Sequence, residues 1–361
     1  MNLYYSESDE KDEIPIVNEN QSSFQFMQEV PRVGRLFKVA VVGASGLVGG
    51  KVLEILKERH FPVGELFLFA SSGSEGKWIH TPYDVQPLLT LKPRLLPEVH
   101  FAFMAAGAAV SKRWGWSFAH KGAYVIDKTS YFRMKSYAPL VVPEVNSADL
   151  NRASRIISCP NCTTIPMVNV LAPLHKLFGL KSLTAVSFQA VSGAGKVALE
   201  TLEAESADND LAPSCFPARI ADNVIPWIGA GKNGHSDEEL KIVNETRKIL
   251  KLSRLPIRAT CVRIPVTVGH SIAVHADFRK RVSIDRALKA LRKFPGVRVV
   301  EDGLYPTPEM VRDTDDAFVG RIRRDRGRTG LAFWIAADNL RKGAASNAVK
   351  IAETLINEEF V

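Results

Sequence analysis

Phe37-Lys-Val-Ala-Val-Val-Gly-Ala-Ser-Gly-Leu-Val-Gly49 decides the fold. Its first six residues are a short, almost wholly apolar run of the kind that forms a buried parallel strand. Glycines then fall at positions 43, 46 and 49, and Val48, Val52 and Ile55 recur at helical spacing to about Arg59. Leu66-Phe-Leu-Phe69 reads as the next strand. Three glycines at every third position mean little alone. Between a strand and a helix they make a dinucleotide fingerprint: a tight turn, close backbone approach, and a helix N-terminus whose unpaired N–H groups meet a pyrophosphate. Gly43, Ala44, Ser45, Gly46, Leu47 and Val48 are the candidate cofactor-binding residues. The competing reading is a tight turn with no ligand.

Outward from this unit, His100–Met104 and Ala123–Ile126 read as further strands, with a helix over Val110–His120 between them. Alternating strands and helices predict an α/β fold with a Rossmann-type, doubly wound parallel sheet. The character changes after about residue 160. Strand-like stretches at Leu183–Ala190, Thr260–Thr267 and Ser271–Phe278 lie close together, and a long polar helix covers Asp237–Leu250. That pattern predicts a second, α+β domain with a mixed sheet. A last helix, Gly343–Ile356, carries Ala348, Ile351, Ala352 and Leu355 on one face.

Composition narrows the function classes. Length alone, 361 residues, favours two domains. Residues 1–35 hold seven acidic and three basic side chains without sustained apolar periodicity, the composition of a flexible tail. No apolar run reaches the ~18 residues of a membrane span, and the first residues have neither a secretory core nor an Arg-rich leader; the expectation is a cytoplasmic protein that does not engage membranes. Four cysteines are too few for a disulfide framework, and no His pair completes a zinc set with Cys159 and Cys162, so no metal is expected. The net charge of +8 invites a nucleic-acid reading, but the densest basic tract, Arg321–Arg328, lacks interleaved aromatics. It reads as a solvated loop between strands, and the positive field suits a small anionic substrate.

An NAD site commonly places Asp or Glu about 20 residues past the glycines to hold the ribose 2′-hydroxyl. Here the second strand ends in Ala70-Ser71-Ser72-Gly73-Ser74. With no carboxylate to repel it, a 2′-phosphate could be met by Ser71 and Ser72, which favours NADP without excluding NAD. Asn161-Cys162-Thr-Thr-Ile-Pro166 sets a thiol just before an apolar periodic segment, with Pro166 in a first helical turn. The positive end of that helix predicts a thiolate-prone nucleophile; the bland alternative is a small buried apolar residue. A nucleophile needs a proton-transfer partner, and spacing alone does not choose among eight histidines.

Cys-Pro-Asn-Cys-Thr-Thr164, Phe-Gln189-Ala-Val-Ser-Gly-Ala-Gly195 and Ala-Thr-Cys-Val-Arg263-Ile-Pro-Val-Thr-Val-Gly-His270 together resemble aspartate-semialdehyde dehydrogenases. The resemblance runs from about Phe37 to Leu355 and includes Thr129-Ser-Tyr-Phe-Arg133, Val141–Asn146, Asp237-Glu-Glu-Leu-Lys241, Phe318–Arg323 and Asn339-Leu-Arg-Lys-Gly-Ala-Ala345. It implies Cys162 as nucleophile, His270 as acid/base and Gln189 as the orienting amide. It implies substrate contacts from Arg133 (phosphate), Asn161, Arg263 (α-carboxylate), Glu239 (amino group) and Lys241, and cofactor contacts from Ser192, Gly193 and Asn339. Two guanidinium forks suit a substrate that is anionic at both ends. Three departures stand out: Gly73, where family members often have arginine, with Lys77 nearby; Lys128, where many relatives have asparagine; and the acidic tail.

The expected division is a tail over 1–35, a dinucleotide-binding domain over 36–161 and 340–361, and a catalytic and dimerisation domain over 162–339. The implied activity is NADPH-dependent reduction of aspartyl phosphate to aspartate semialdehyde through a cysteine thioester, by a homodimer or homotetramer. The alternatives are another acyl-phosphate reductase, such as the N-acetylglutamyl-phosphate type, and a non-catalytic dinucleotide-binding protein.

Overall fold

Burial of the run at Phe37–Val42 organises the first half of the computed structural model, which describes residues 34–207, 214–301 and 303–361. The acidic tail read over 1–35 lies outside the described residues, save its last two. Strand β1 (Phe37–Val42) is followed by helix α1 (Leu47–Glu58) and β2 (Val63–Ala70), then a hairpin of β3 (Trp78–His80) and β4 (Val85–Pro87) and the two-residue β5 (Leu89–Thr90). Next come β6 (Phe101–Met104), α2 (Ala108–His120), β7 (Tyr124–Asp127), α3 (Pro143–Asn146) and β8 (Ile156–Ser158). The strands form one sheet in the order β5-β2-β1-β6-β7-β8, parallel throughout.

Both faces of this sheet are covered, which explains why its strands read as continuous apolar runs rather than alternating ones. Val39, Val41, Phe101, Phe103 and Ile126 face Val52, Ile55 and Leu56 of α1 and the final helix, α8 (Ser346–Asn357), through Val349, Ile351 and Leu355. Ala40, Val42, Ala102, Met104 and Val125 face Trp114 and Phe118 of α2. A bidentate pair from Arg59 to Glu353, at 2.7 Å for both contacts, fixes α8 against α1. The last helix thus returns to the first sheet.

The second half places α4 (Thr164–Phe178), β9 (Leu180–Gln189), α5 (Lys196–Ser206), the short β10 (Gly231–Lys232) and β11 (His235–Ser236), α6 (Asp237–Ile249), β12 (Ile257–Arg263), β13 (His270–Phe278), α7 (Ile284–Lys293), β14 (Val297–Val299), β15 (Ala317–Arg324) and β16 (Gly330–Ala337). Its main sheet runs β12-β9-β13-β16-β15-β14 and is mixed: β12–β9 and β14–β15 are parallel, the rest antiparallel. Met167, Leu171 and Leu174 of α4, Ile242 of α6 and Leu291 of α7 pack on one face. On the other face, Phe188 and Trp334 stack at 5.5 Å and remain partly exposed. No helix among the described residues is long and apolar enough to cross a membrane.

The structure moves several expected boundaries. The strand expected over Thr260–Thr267 ends at Arg263, because Pro265 has no N–H for a ladder. The basic tract expected as a loop begins inside β15, which holds Arg321, Arg323 and Arg324. Ahead of α8, Arg341–Ala345 form a single π-helical turn rather than ordinary helix. The helix read as polar, α6, buries Glu238, Glu239 and Glu245.

Two neighbouring glycines in α1 should behave oppositely. A Cβ on Gly49 would lie 2.1 Å from the Gly43 carbonyl oxygen, whereas one on Gly50 meets nothing within 4 Å. Gly49→Ala should lower stability by about 1–3 kcal/mol in urea titrations and weaken dinucleotide binding. Gly50→Ala should raise stability by about 0.5–1 kcal/mol; similar effects at both positions would contradict the tight turn.

Candidate active site

Cys162 sits where the two sheets meet, on the segment from the end of β8 to the start of α4. Asn161 shapes that segment with its own side chain: Oδ1 accepts from the Thr163 N–H at 2.9 Å, and its carbonyl accepts the Ile165 N–H at 3.0 Å. Behind it, Cys159 is fully buried, and burial pushes its thiol up to about 11, so it is no nucleophile at neutral pH. Gly343 of the π-turn backs directly onto the nucleophile; a Cβ there would stand 2.9 Å from both Cys162 Cβ and the Cys162 carbonyl oxygen.

His270, the first residue of β13, brings Nε2 to 3.3 Å from Cys162 Sγ. Its Nδ1 accepts the Ala190 N–H at 3.0 Å. An amide N–H only donates, so the neutral ring carries its proton on Nε2, aimed at the sulfur. Burial, and then the Arg263 guanidinium, lower its pKa to about 3, so the ring stays neutral across the physiological range. Of the acid/base role, this geometry supplies the donor half. An oxygen on a carbon bonded to Sγ would fall within reach of the Nε2 proton.

The helix-start argument predicted an acidified thiol at Cys162, and here the structure corrects it. The helix proper begins only at Thr164, and the Cys162 pKa is raised, first by burial and then by Glu238. Lys128, Arg133 and Arg263 oppose the rise. A dry site outweighs a helix end.

Gln189, the last residue of β9, is buried and donates through Nε2 to Ser187 Oγ at 3.1 Å. One step on, the Ala190 carbonyl receives Arg263 NH1 at 2.7 Å. Arg263 is buried and, among the described residues, has no carboxylate within ion-pair distance. A buried guanidinium without its anion is a receptor for one. Gly193 keeps the approach clear, since a Cβ there would lie 3.2 Å from Arg263 NH1 and 3.3 Å from His270 Nε2. Asn339 donates to Ser192 Oγ and accepts from the Gly269 N–H, both at 2.9 Å, closing the same corner.

Helix α6 supplies the opposite wall. Glu245 accepts from the Asn161 N–H at 2.6 Å and from Arg133 NH1 at 2.9 Å. Arg133 also donates to the carbonyls of Cys159 and Lys128, at 3.0 and 2.9 Å. Two turns earlier, Glu238 accepts from Asn161 Nδ2 at 2.7 Å and from Lys241 Nζ at 2.9 Å. The expectation for Glu239 needs correcting. Its Oε2 takes the Ser236 N–H in a capping box, and its Oε1 takes the Cys261 N–H at 3.2 Å. Both oxygens are spent on the fold, and Glu238 is the carboxylate among Cys162, Asn161 and Lys241. Sequence reasoning missed Glu245 altogether, although it stands seven residues from Glu238, on the same face of a helix. Lys128, Arg133, Lys241 and Arg263 outnumber Glu238 and Glu245 here by four to two, which fits a polyanionic ligand.

The glycine turn fits a dinucleotide. Gly43 adopts φ +93°, and the N–H groups of Gly43 and Ala44 both donate to the Phe69 carbonyl, so these two build the turn. No side chain caps α1, which leaves its first-turn amides at Leu47 and Val48 facing the opening beside exposed Ser45 and Gly46. Ser71 and Ser72 are exposed at the end of β2, with no acidic side chain between Ala70 and Ser74.

The chain is similar to known proteins over most of its length. A family model described as semialdehyde dehydrogenase, NAD binding domain, matches residues 38–153. Another, semialdehyde dehydrogenase, dimerisation domain, matches residues 171–342. The aspartate-semialdehyde dehydrogenase of Aquifex aeolicus is 42% identical over 340 residues, covering 90% of this chain and 99% of the relative. A crystal structure of aspartate semialdehyde dehydrogenase II from Vibrio cholerae complexed with ASA superposes with TM-score 0.85 at 38% identity, over 90% of this chain and 99% of that one. The enzyme of Candida albicans, solved with NADP, superposes with TM-score 0.74 at 25% identity, over 91% and 100%.

His270 also makes stability depend on pH with a definite sign. Its pKa is depressed in the folded state to about 3, against ~6.5 when unfolded. Below pH ~6.5 the unfolded chain therefore binds a proton that the folded chain refuses, and stability falls as pH drops toward 3. Urea midpoints of the wild type should decline between pH 6.5 and 4 more steeply than those of His270→Asn. Parallel declines would show that the ring is not held neutral.

Proposed function

The chain belongs to the semialdehyde dehydrogenase family, and we propose that it is an aspartate-semialdehyde dehydrogenase, reducing L-aspartyl 4-phosphate to L-aspartate 4-semialdehyde with NADPH through a thioester on Cys162. That reaction serves lysine, threonine and methionine biosynthesis, and a cytoplasmic setting suits four free thiols. The observation that carries the reading is Cys162 Sγ, 3.3 Å from a proton-bearing histidine nitrogen, between two buried guanidinium groups.

Cys162 Sγ attacks the acyl carbon, the C–S bond forming as the C–O bond to phosphate breaks, and the thiol proton leaves with the phosphate beside Arg133, whose guanidinium is already aimed by Glu245. Arg263 takes the α-carboxylate that its buried position lacks, Glu238 takes the amino group, and Lys241 lies beside both anionic ends. The NADPH, when bound, supplies the hydride that reduces the thioester. The Nε2 proton of His270 steadies the oxyanion that forms and then the sulfur that leaves; a single donor of this kind contributes roughly 3 kcal/mol. Asn161 holds the nucleophile segment, and Gln189 fixes the end of β9 from which the Ala190 amide sets the ring. Ser192, Gly193 and Asn339 would hold the nicotinamide at the corner they share beside His270 and Arg263. The turn from Gly43 to Val48 takes the pyrophosphate, and Ser71 and Ser72 take the 2′-phosphate. Leu47 and Val48 contribute main-chain amides rather than side chains.

The half-exposed Phe188–Trp334 face of the second sheet is the surface through which the protein forms a homodimer, and two dimers would make a tetramer. The description of the matched domain as a dimerisation domain supports this assembly.

The assay is oxidation of aspartate semialdehyde in the presence of phosphate, run in parallel with NADP and NAD. N-acetylglutamate semialdehyde and glyceraldehyde 3-phosphate serve as competing aldehydes. Turnover should be confined to aspartate semialdehyde and be faster with NADP. Cys162→Ala should remove it while leaving NADP titrations unchanged; retained turnover overturns the mechanism. Glu238→Gln should raise KM for the aldehyde about tenfold or more, the loss of one charged hydrogen bond. Glu239→Ala should instead lower stability by about 1 kcal/mol with KM unchanged; the reverse pattern would restore Glu239 as the substrate carboxylate.

A further inference from the structure

Lys128 follows Asp127 at the end of β7, where the first sheet reaches the site. Its ammonium donates to the Pro160 carbonyl at 2.9 Å, two residues before the nucleophile. Its own carbonyl accepts Arg133 NH2 at 2.9 Å. The backbone on either side is fixed: buried Asp127 accepts from Ser111 Oγ at 2.8 Å and from the Thr129 N–H and hydroxyl at 3.0 and 2.9 Å. One residue therefore braces the nucleophile segment with its side chain and Arg133 with its main chain.

Charge pairing around Cys162 leaves this ammonium over. Glu245 is matched to Arg133, and Glu238 to Lys241. Arg263 holds a carbonyl and awaits a substrate anion, and His270 is neutral. Among the described residues Lys128 has no carboxylate within ion-pair distance, and Pro160 accounts for one of its three N–H donors. The thiols that feel this charge are Cys162 and Cys159, and burial holds Cys159 at about 11, which leaves Cys162 as the one that reacts. Burial, and then Arg133, lower the Lys128 pKa, while the Cys162 thiol, Cys159 and Glu245 favour its charged form; in turn Lys128 favours the Cys162 thiolate against burial and Glu238.

We propose that Lys128 is a positioning residue for the nucleophile, its ammonium clamping the Pro160 carbonyl and supplying the unpaired cation against which Cys162 ionises. The proposal rests on the reading of Cys162 as the nucleophile. A neutral amide at this place would keep a donor for the carbonyl but not the charge.

The test is the pH dependence of Cys162 alkylation by iodoacetamide, followed by mass spectrometry of the Cys162 peptide so that exposed Cys215 does not intrude. In Lys128→Gln, which retains a donor, the midpoint should rise by about one unit, so the rate at pH 7 falls about tenfold. Lys128→Met should match it, and Lys128→Arg should stay close to wild type; thermal melts establish that each variant is folded. An unchanged midpoint in either neutral variant, whatever happens to the plateau rate, overturns the proposal by showing a clamp without electrostatic effect. Because alkylation needs no substrate, this result is separate from failure of the proposed activity, which would appear as absent turnover in the wild type.

Discussion

Glu245 is the point on which the site hangs. One buried carboxylate receives the main chain of Asn161 from the segment between the sheets and the guanidinium of Arg133 from the first sheet's loop, while sitting on a helix of the second half. Removing one partner of such a buried pair strands the other, at about 3–5 kcal/mol. The carboxylate therefore acts as a joint: it sets Arg133 relative to Cys162 and sets both relative to the β12-β9-β13 wall, whose ends carry Arg263 and His270. Lys248 extends the same seam by donating to the carbonyls of Arg133, Lys135 and Ala138.

Around that joint the site is dry, and dryness governs its chemistry. Burial raises the thiol of Cys162 and lowers the ring of His270, so both rest neutral. A strongly ionised thiolate–imidazolium pair is not what this pocket stabilises. It holds cationic side chains instead: among the described residues neither Arg263 nor Lys128 has a carboxylate within ion-pair distance. The arrangement is complementary to charges that arrive with a substrate and to those that develop on sulfur and oxygen during reaction.

Much of the first half was legible because parallel strands buried on both faces leave unbroken apolar runs, and a glycine turn between strand and helix has few other uses. The second half was blurrier. A strand end such as that before Pro265 follows a simple donor rule, but the π-turn over Arg341–Ala345 has no local signature. Least legible was α6: a helix polar in composition turns Glu245 and Glu238 inward, because their partners, Arg133 and Asn161, lie 112 and 77 residues away in sequence. Whether Glu238 or Glu239 faced the site depended on Ser236 recruiting Glu239 into a cap. The direction of the Cys162 shift depended on burial, which a helix-start pattern does not report. Spacing could not choose His270; the resemblance did, and the structure adds the Ala190 amide and the 3.3 Å approach to sulfur.

The central claim is a covalent thioester on Cys162, and a single turnover without phosphate tests it most directly. Enzyme mixed with aspartate semialdehyde and NADP, with phosphate withheld, should release a burst of about one NADPH per site and then stop. Acid quench and peptide mapping should find the acyl group on the Cys162 peptide. No burst, or an acyl group on any other residue, would contradict the account.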